Sequence, residues 1–233
     1  MRVMVDPGHG GRDPGAAAHG LIEKDIAMMY GDALFNELRN RGHIAALTRS
    51  ADEDLARDLA WPRPGKSKDL NRRCVLANEF GAHAFISLHC NAGYHAMNGA
   101  WLLHCRGSHH GAALGVRIFD ELSRIPGIAD DDAAKEVLPD DSVHTGYTTK
   151  AHVLLRSKPP HMADDEWLYL QGLPRSEWYR TIRVLRGTKM PAVLVELGFL
   201  TNRDDARQLA LPSTAGQVVR AIADGLEGWW NGD

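Results

Sequence analysis

The sequence predicts an α/β fold, a single domain with a central, mostly parallel or mixed sheet of about six strands flanked by helices. Three observations lead there. Short apolar runs alternate with longer stretches of helical periodicity from the first residues onward. Glycines and prolines mark many of the joints between them. The length, 233 residues, suffices for one full core and is short for two. One domain over residues 1–233 is therefore expected, with an insertion at about 126–179.

Arg2 to Asp6 reads as a buried strand, and the turn "DPGHGGRDPG", Asp6 to Gly15, opens directly behind it with four glycines, two prolines and a histidine. Glu23 to Arg41 reads as a helix, with Ile26, Met29, Tyr30, Ala33, Leu34 and Leu38 on its apolar face and Gly42 as its stop. His43 to Thr48 is a second strand, Leu70 to Phe80 a second helix and Ala84 to His89 a third strand, which completes a βαβαβ rhythm. Beyond it the pattern predicts a strand at Gly99 to Cys105 and a helix at Gly111 to Ser123. Two more strands follow at Thr181 to Leu185 and Ala192 to Leu197, then a closing helix at Ala215 to Trp230. Two stretches break the rhythm. Ala60 to Ser67, "AWPRPGKS", is a Pro/Gly loop. Pro126 to Tyr179 carries acidic runs and five prolines, and its Trp167, Leu168, Tyr169, Leu170, Trp178 and Tyr179 need burial, so it reads as an insertion rather than a linker.

Composition excludes several classes of function. Hydrophobic residues make up 44% and charged residues 24%, ordinary for a soluble globular protein, and no apolar run is long enough for a membrane span. The net charge is −3 and the basic residues are scattered, so neither nucleic acid nor membrane is an expected partner. Cys74, Cys90 and Cys105 are odd in number and form no CxxC pair, which argues against a disulfide framework. The first residues form a strand and not a charged and then apolar leader. The expectation is either synthesis in the cytoplasm or a trimmed mature domain.

In open α/β sheets, functional groups collect beyond the carboxyl ends of the strands. The first strand delivers His9 there, the third His89 and the last Glu196, while Glu23 begins the first helix. Two imidazoles and a carboxylate are a common ligand set for a catalytic zinc. Singly, each has a plainer reading: a strand-end histidine is usually a hydrogen-bonded residue, and Glu23 suits a helix N-terminus. Glu196 is harder to explain away. It lies in the apolar run "PAVLVELGF", and a buried carboxylate needs a metal, an activated water or an arginine beside it.

The segments "MVDPGHGGRDPGA", "EKD", "LNRRCVLAN", "ISLHCNA" and "VLRGTKMPAVLVELGFLTN", in this order, resemble the zinc-dependent N-acetylmuramoyl-L-alanine amidases of the amidase type 3 family. The resemblance covers about residues 1–125 and 180–233. It implies that His9, Glu23 and His89 bind Zn2+ and that Glu196 is the catalytic acid/base. It implies hydrolysis of the amide between N-acetylmuramic acid and the L-alanine of the stem peptide, with peptidoglycan as partner; apart from the resemblance, a monomer is expected. Asp6 is then expected to hold the glycine turn or to orient a ligand, or simply to cap the turn. Arg186 is expected to contact substrate or product, or to pair with Glu196.

Cys90 stands where the family usually has alanine; next to His89 on a strand, it is expected to point away from the site as a small buried hydrophobe. Ala163 to Leu173 in the insertion is expected to pack beside the zinc cleft, as a groove wall, as a mere edge cover or as a self-inhibiting lock. Two settings fit, a phage-type endolysin that stays cytoplasmic until lysis and an exported bacterial autolysin of which this sequence is a truncated form. The rival readings are a non-catalytic wall-binding or regulatory module on the same scaffold and another zinc amidohydrolase or peptidase.

Overall fold

The computed structural model describes residues 1–62, 64–95, 97–105, 108–126 and 182–232. Its centre is a five-stranded sheet in the order β4-β1-β5-β7-β6. The strands are β1 (Arg2–Pro7), β4 (Ile44–Leu47), β5 (Ala84–Asn91), β6 (Trp101–His104) and β7 (Ala192–Phe199). β4, β1, β5 and β7 run parallel, and β6 is antiparallel to β7, so the sheet is mixed. A two-stranded ribbon, β2 (Ala17–Ala18) with β3 (Leu21–Ile22), lies between the glycine turn and the first helix.

Alternation along the strands decides which helices lie on which face. From β1, Val3 and Val5 enter one core together with Ile86 and Leu88 of β5 and Val193 and Val195 of β7. Helices α1 (Glu23–Asn40), α3 (His109–Leu122) and α6 (Pro212–Asn231) cover that side. Met4, Phe85 and Leu194 point the other way, against α2 (Gly65–Phe80) and the short α4 (Arg183–Gly187). α1 buries Ile26, Tyr30, Leu34 and Leu38, an i, i+4 stripe that matches its expected apolar face.

Three expectations need correction. The strand expected at Thr181 to Leu185 is helical over Arg183–Gly187, Thr181 lying outside the described residues. Val184 and Leu185 are neighbours in sequence and both buried, which a strand with one face to solvent does not allow. Among the described residues the sheet accordingly has five strands. α2 begins at Gly65 and not Leu70, so the end of the Pro/Gly loop is its first turn; Pro64 precedes it as N-cap, where a missing N–H costs nothing. The third concerns α5 (Arg203–Leu209), which was not foreseen; the Asn202 side chain caps it by accepting from the Asp204 and Asp205 amides. The expected insertion, including Ala163 to Leu173 and its aromatics, lies outside the described residues apart from Pro126.

Because β1, β5 and β7 are adjacent and parallel, their carboxyl ends finish side by side. Pro7 pairs with Leu88, and His89 pairs with Glu196. The ladder then shifts register between His89 and Asn91, just past the candidate residues, and the chain there is released from regular pairing. Among the described residues no helix is long and apolar enough to cross a membrane.

Candidate metal centre

The turn after β1 continues the sheet for one bond, Gly8 N–H donating to Leu88 O at 2.9 Å, and then reverses. Glycine is required at Gly8 because a Cβ there would lie 2.3–2.7 Å from the ring of His89. At Gly15, with φ +68°, a Cβ would strike the Glu23 carboxylate at 2.4 Å and the His9 ring at 2.8 Å. Both glycines therefore leave space that the candidate ligands occupy.

Three side chains converge in that space. His9 Nε2 lies 2.9 Å from Glu23 Oε1, His89 Nδ1 lies 2.9 Å from the same oxygen, and the two ring nitrogens are 3.1 Å apart. Four-coordinate zinc with bonds of about 2.0–2.1 Å sets its ligand atoms roughly 3.3 Å apart, so these separations lie near a tetrahedral edge. Glu23 is 4% exposed and is held in place by two amides, Cys90 N–H to Oε1 at 3.0 Å and Ala16 N–H to Oε2 at 2.8 Å. His9, Glu23 and His89 are the group of convergent ligand atoms found among the described residues.

The electrostatics also fit a cation. Burial by itself pushes His9 down, but hydrogen bonds and attraction from Asp13 and Glu23 outweigh it and lift the imidazole to about 9. Burial likewise opposes the charge on Glu23, yet His89 and His9 hold its carboxyl well below the usual range. The centre thus favours a positive charge between the ring nitrogens, and a divalent metal substitutes for a proton in such a place. Asp13 Oδ2 lies 3.2 Å from His9 Nδ1 and 3.0 Å from Lys66 Nζ. A carboxylate this close to the outer nitrogen favours a proton on Nδ1, and with it an Nε2 lone pair directed to a metal.

Glu196 stands on β7 in direct register with His89, and both line one cleft of about 350 Å³ with His9 and Glu23. Cys90 faces the opposite core, 3% exposed, as expected for a buried hydrophobe. Burial raises the Asp6 pKa, but Arg73, Ser87 and Thr48 outweigh that and lower it; the hydrogen bonds come from Thr48 Oγ1 at 2.5 Å, Ser87 Oγ at 2.6 Å and Arg73 Nη1 at 2.8 Å. Arg186 is exposed on the last turn of α4 and is not among the cleft-lining residues. Arg183, one turn earlier, does line the cleft and donates to Asn71 Oδ1.

Sequence reasoning passed over Asp13, Lys66 and Arg73. Arg73 left a signal: it sits among Leu70, Cys74 and Ala77 at i, i+3, i+4 and i+7, an arginine within an otherwise apolar helical stripe. Asp13 and Lys66 left none beyond their place in loops.

A family described as N-acetylmuramoyl-L-alanine amidase matches residues 3–228. The chain is 28% identical to the N-acetylmuramoyl-L-alanine amidase AmiA of Escherichia coli (strain K12) over 96% of its own length and 74% of that protein. It is also 28% identical to the endolysin of Bacillus phage SPP1, over 96% of its length and 64% of the phage protein. Among solved structures, the CwlD amidase of Clostridioides difficile, determined in complex with the GerS lipoprotein, superposes with a TM-score of 0.71 at 23% identity, covering 100% of this chain and 99% of that one.

Proposed function

The chain belongs to the N-acetylmuramoyl-L-alanine amidase family, and from that premise we propose that His9, Glu23 and His89 bind a catalytic zinc with Glu196 as the acid/base. It is an enzyme, a peptidoglycan hydrolase whose place of action is the cell wall. The observation that carries the site assignment is the meeting of three ligand atoms at 2.9–3.1 Å, with Glu196 in register beside one of them.

The bond cleaved joins the lactyl group of N-acetylmuramic acid to the L-alanine of the stem peptide. Bound in the triad, zinc supplies Lewis acidity toward the attacking water and the scissile carbonyl. Glu196 takes the proton from that water and delivers it to the leaving nitrogen. Glu23 contributes negative charge to the ligand set, and Asp13 holds the His9 ring in its orientation. Arg186, at the exposed end of α4, is assigned to outer contacts with substrate or product; Arg186→Ala then raises KM with kcat unchanged.

The catalytic unit is one domain over residues 1–233 with 126–179 inserted, a reading supported by β6 and β7, which flank the insertion and pair with each other. All four groups come from one chain, so a monomer is sufficient for activity. Digestion of purified sacculi tests the reading. The expected products are stem peptides with a free L-alanine amino terminus, one equivalent of zinc accompanies the active protein, and His89→Ala loses both. Cleavage only within the stem peptide assigns the protein to a peptidase class instead.

A further inference from the structure

His9 holds φ at +58°, in the left-handed region. A residue with a Cβ is disfavoured there, so the surroundings must over-determine it. Two buried arginines surround the turn. Arg73, 2% exposed, donates from Nη1 to Pro7 O at 2.8 Å and from Nη2 to His9 O at 2.5 Å. Its remaining contacts are Asp6 Oδ1 at 2.8 Å and Asp69 Oδ1 at 2.7 Å. Arg49, 3% exposed, donates from Nε to Pro7 O at 3.0 Å and from Nη2 to Gly8 O at 2.9 Å. The same Nη2 reaches Lys24 O at 2.8 Å, next to Glu23, and Nη1 reaches Ala51 O at 2.9 Å.

Three successive carbonyls, Pro7, Gly8 and His9, thus turn toward two guanidiniums, and one arginine joins that turn to the residue following a second ligand. Burying two guanidiniums is costly even with Asp6 and Asp69 paired to Arg73, and hydrophobic side chains of similar volume in place of such a buried ionic cluster are often neutral or better for stability alone. The arrangement makes sense if the shape of the turn is what it secures. We propose that Arg49 and Arg73 form a guanidinium clamp that sets the His9 turn before a metal arrives, and so tune zinc affinity as positioning residues. The proposal rests on the zinc assignment above. It predicts that metal binding in the intact protein has little loop-ordering cost left to meet, because the clamp has already met it.

Arg73→Lys and Arg49→Lys in the full chain test it. A lysine keeps one charge but is a point donor, and it lacks the fork that serves several acceptors at once. Three quantities are read: thermal midpoint, zinc affinity by chelator competition, and amide exchange of the metal-free protein at Gly8, Gly10 and Gly11. Those amides are bonded to Leu88 O, Asp13 O and Asp52 Oδ1 in the intact turn. The expected result is a folded variant with faster exchange at the three glycines and zinc affinity weaker by roughly 10–100-fold, the range seen when groups supporting metal ligands are lost. Excess zinc is expected to restore most of kcat.

Folded lysine variants that bind zinc as the wild type does overturn the proposal. So does failure of both variants to fold, because the arginines then serve the core and not the turn. If Arg73→Lys alone fails to fold, Arg49→Lys decides. If the wild type binds no zinc, the metal assignment falls, and exchange at the glycines alone judges the clamp.

Discussion

His9, Glu23 and His89 are each positioned by a neighbour as much as by their own place in the chain. Glu23 is the first residue of α1, where a carboxylate suits the helix dipole, and it also meets both imidazoles; the two readings of it describe one arrangement. For Glu196 a general acid/base role predicts that Glu196→Gln keeps fold and zinc content while turnover falls by about 10²–10⁴-fold. Wild-type release of stem peptides by that variant would remove the role. Asp6 gives a pH prediction. Its pKa is lowered because Arg73, Ser87 and Thr48 outweigh its burial, so its share of stability is full above the ordinary carboxylate value near 3.8. That share is lost as pH falls through the folded-state value. The thermal midpoint of the wild type should therefore drop on acidification below about pH 4, and Asp6→Asn should flatten part of that drop.

Among the elements, the helix contacts are set by small residues as well as apolar ones. α6 crosses α3 at Gly225, where a Cβ would lie 2.5 Å from Ile118 Cα and 2.6 Å from Arg117 O. Both are backbone atoms, so a side chain there separates the helices and does not merely displace a rotamer. Gly225→Val should destabilise by about 1–3 kcal/mol or more, read as a lower denaturation midpoint with the slope unchanged. An unchanged midpoint would mean that the two helices are not in this contact. At the carboxyl end of β7, Asp205 of α5 accepts from Phe199 N at 2.7 Å and Gly99 N at 2.9 Å, joining that end to the segment before β6. Burial lifts that carboxyl to about 6, against the pull of the same two amides. β4, β1 and β5 were legible to within two residues, because four to eight apolar residues between breakers leave few other readings. The segment after the insertion was misread, since "TIRVL" contains β-branched residues at strand spacing and its packing partners, Cys74 and its neighbours on α2, are more than a hundred residues away.

For the whole molecule, the candidate metal centre links distant parts of the chain: the turn after β1, the start of α1 and the end of β5. Anything that binds this assembled set and not the unfolded chain raises stability by mass action. The midpoint of thermal unfolding should rise with zinc, by an amount that corresponds to about 2.7 kcal/mol when free metal is 100 times its dissociation constant, and fall on chelation. His89→Ala should lose that response. A wild-type midpoint indifferent to both zinc and chelator would place the metal elsewhere or nowhere.

Strand ends and glycine spacing are local properties, and they carried the α/β class, the βαβαβ order and the residues His9, Glu23, His89 and Glu196. A glycine turn behind a strand has few conformations, and a carboxylate in an apolar run has few explanations. What lay beyond the sequence depends on atoms brought together from far apart. The antiparallel placement of β6 at one edge is decided by pairing with β7, more than eighty residues later. The role of Asp6 is decided by Arg73, sixty-seven residues away, and the carbonyls of the turn at Pro7 to His9 meet Arg49 and Arg73, partners that neither the strand-end position of the first nor the helical stripe around the second names in advance. A buried guanidinium declares its acceptors only when the chain has folded around it, because its donors are satisfied by whichever carbonyls and carboxylates the tertiary packing delivers.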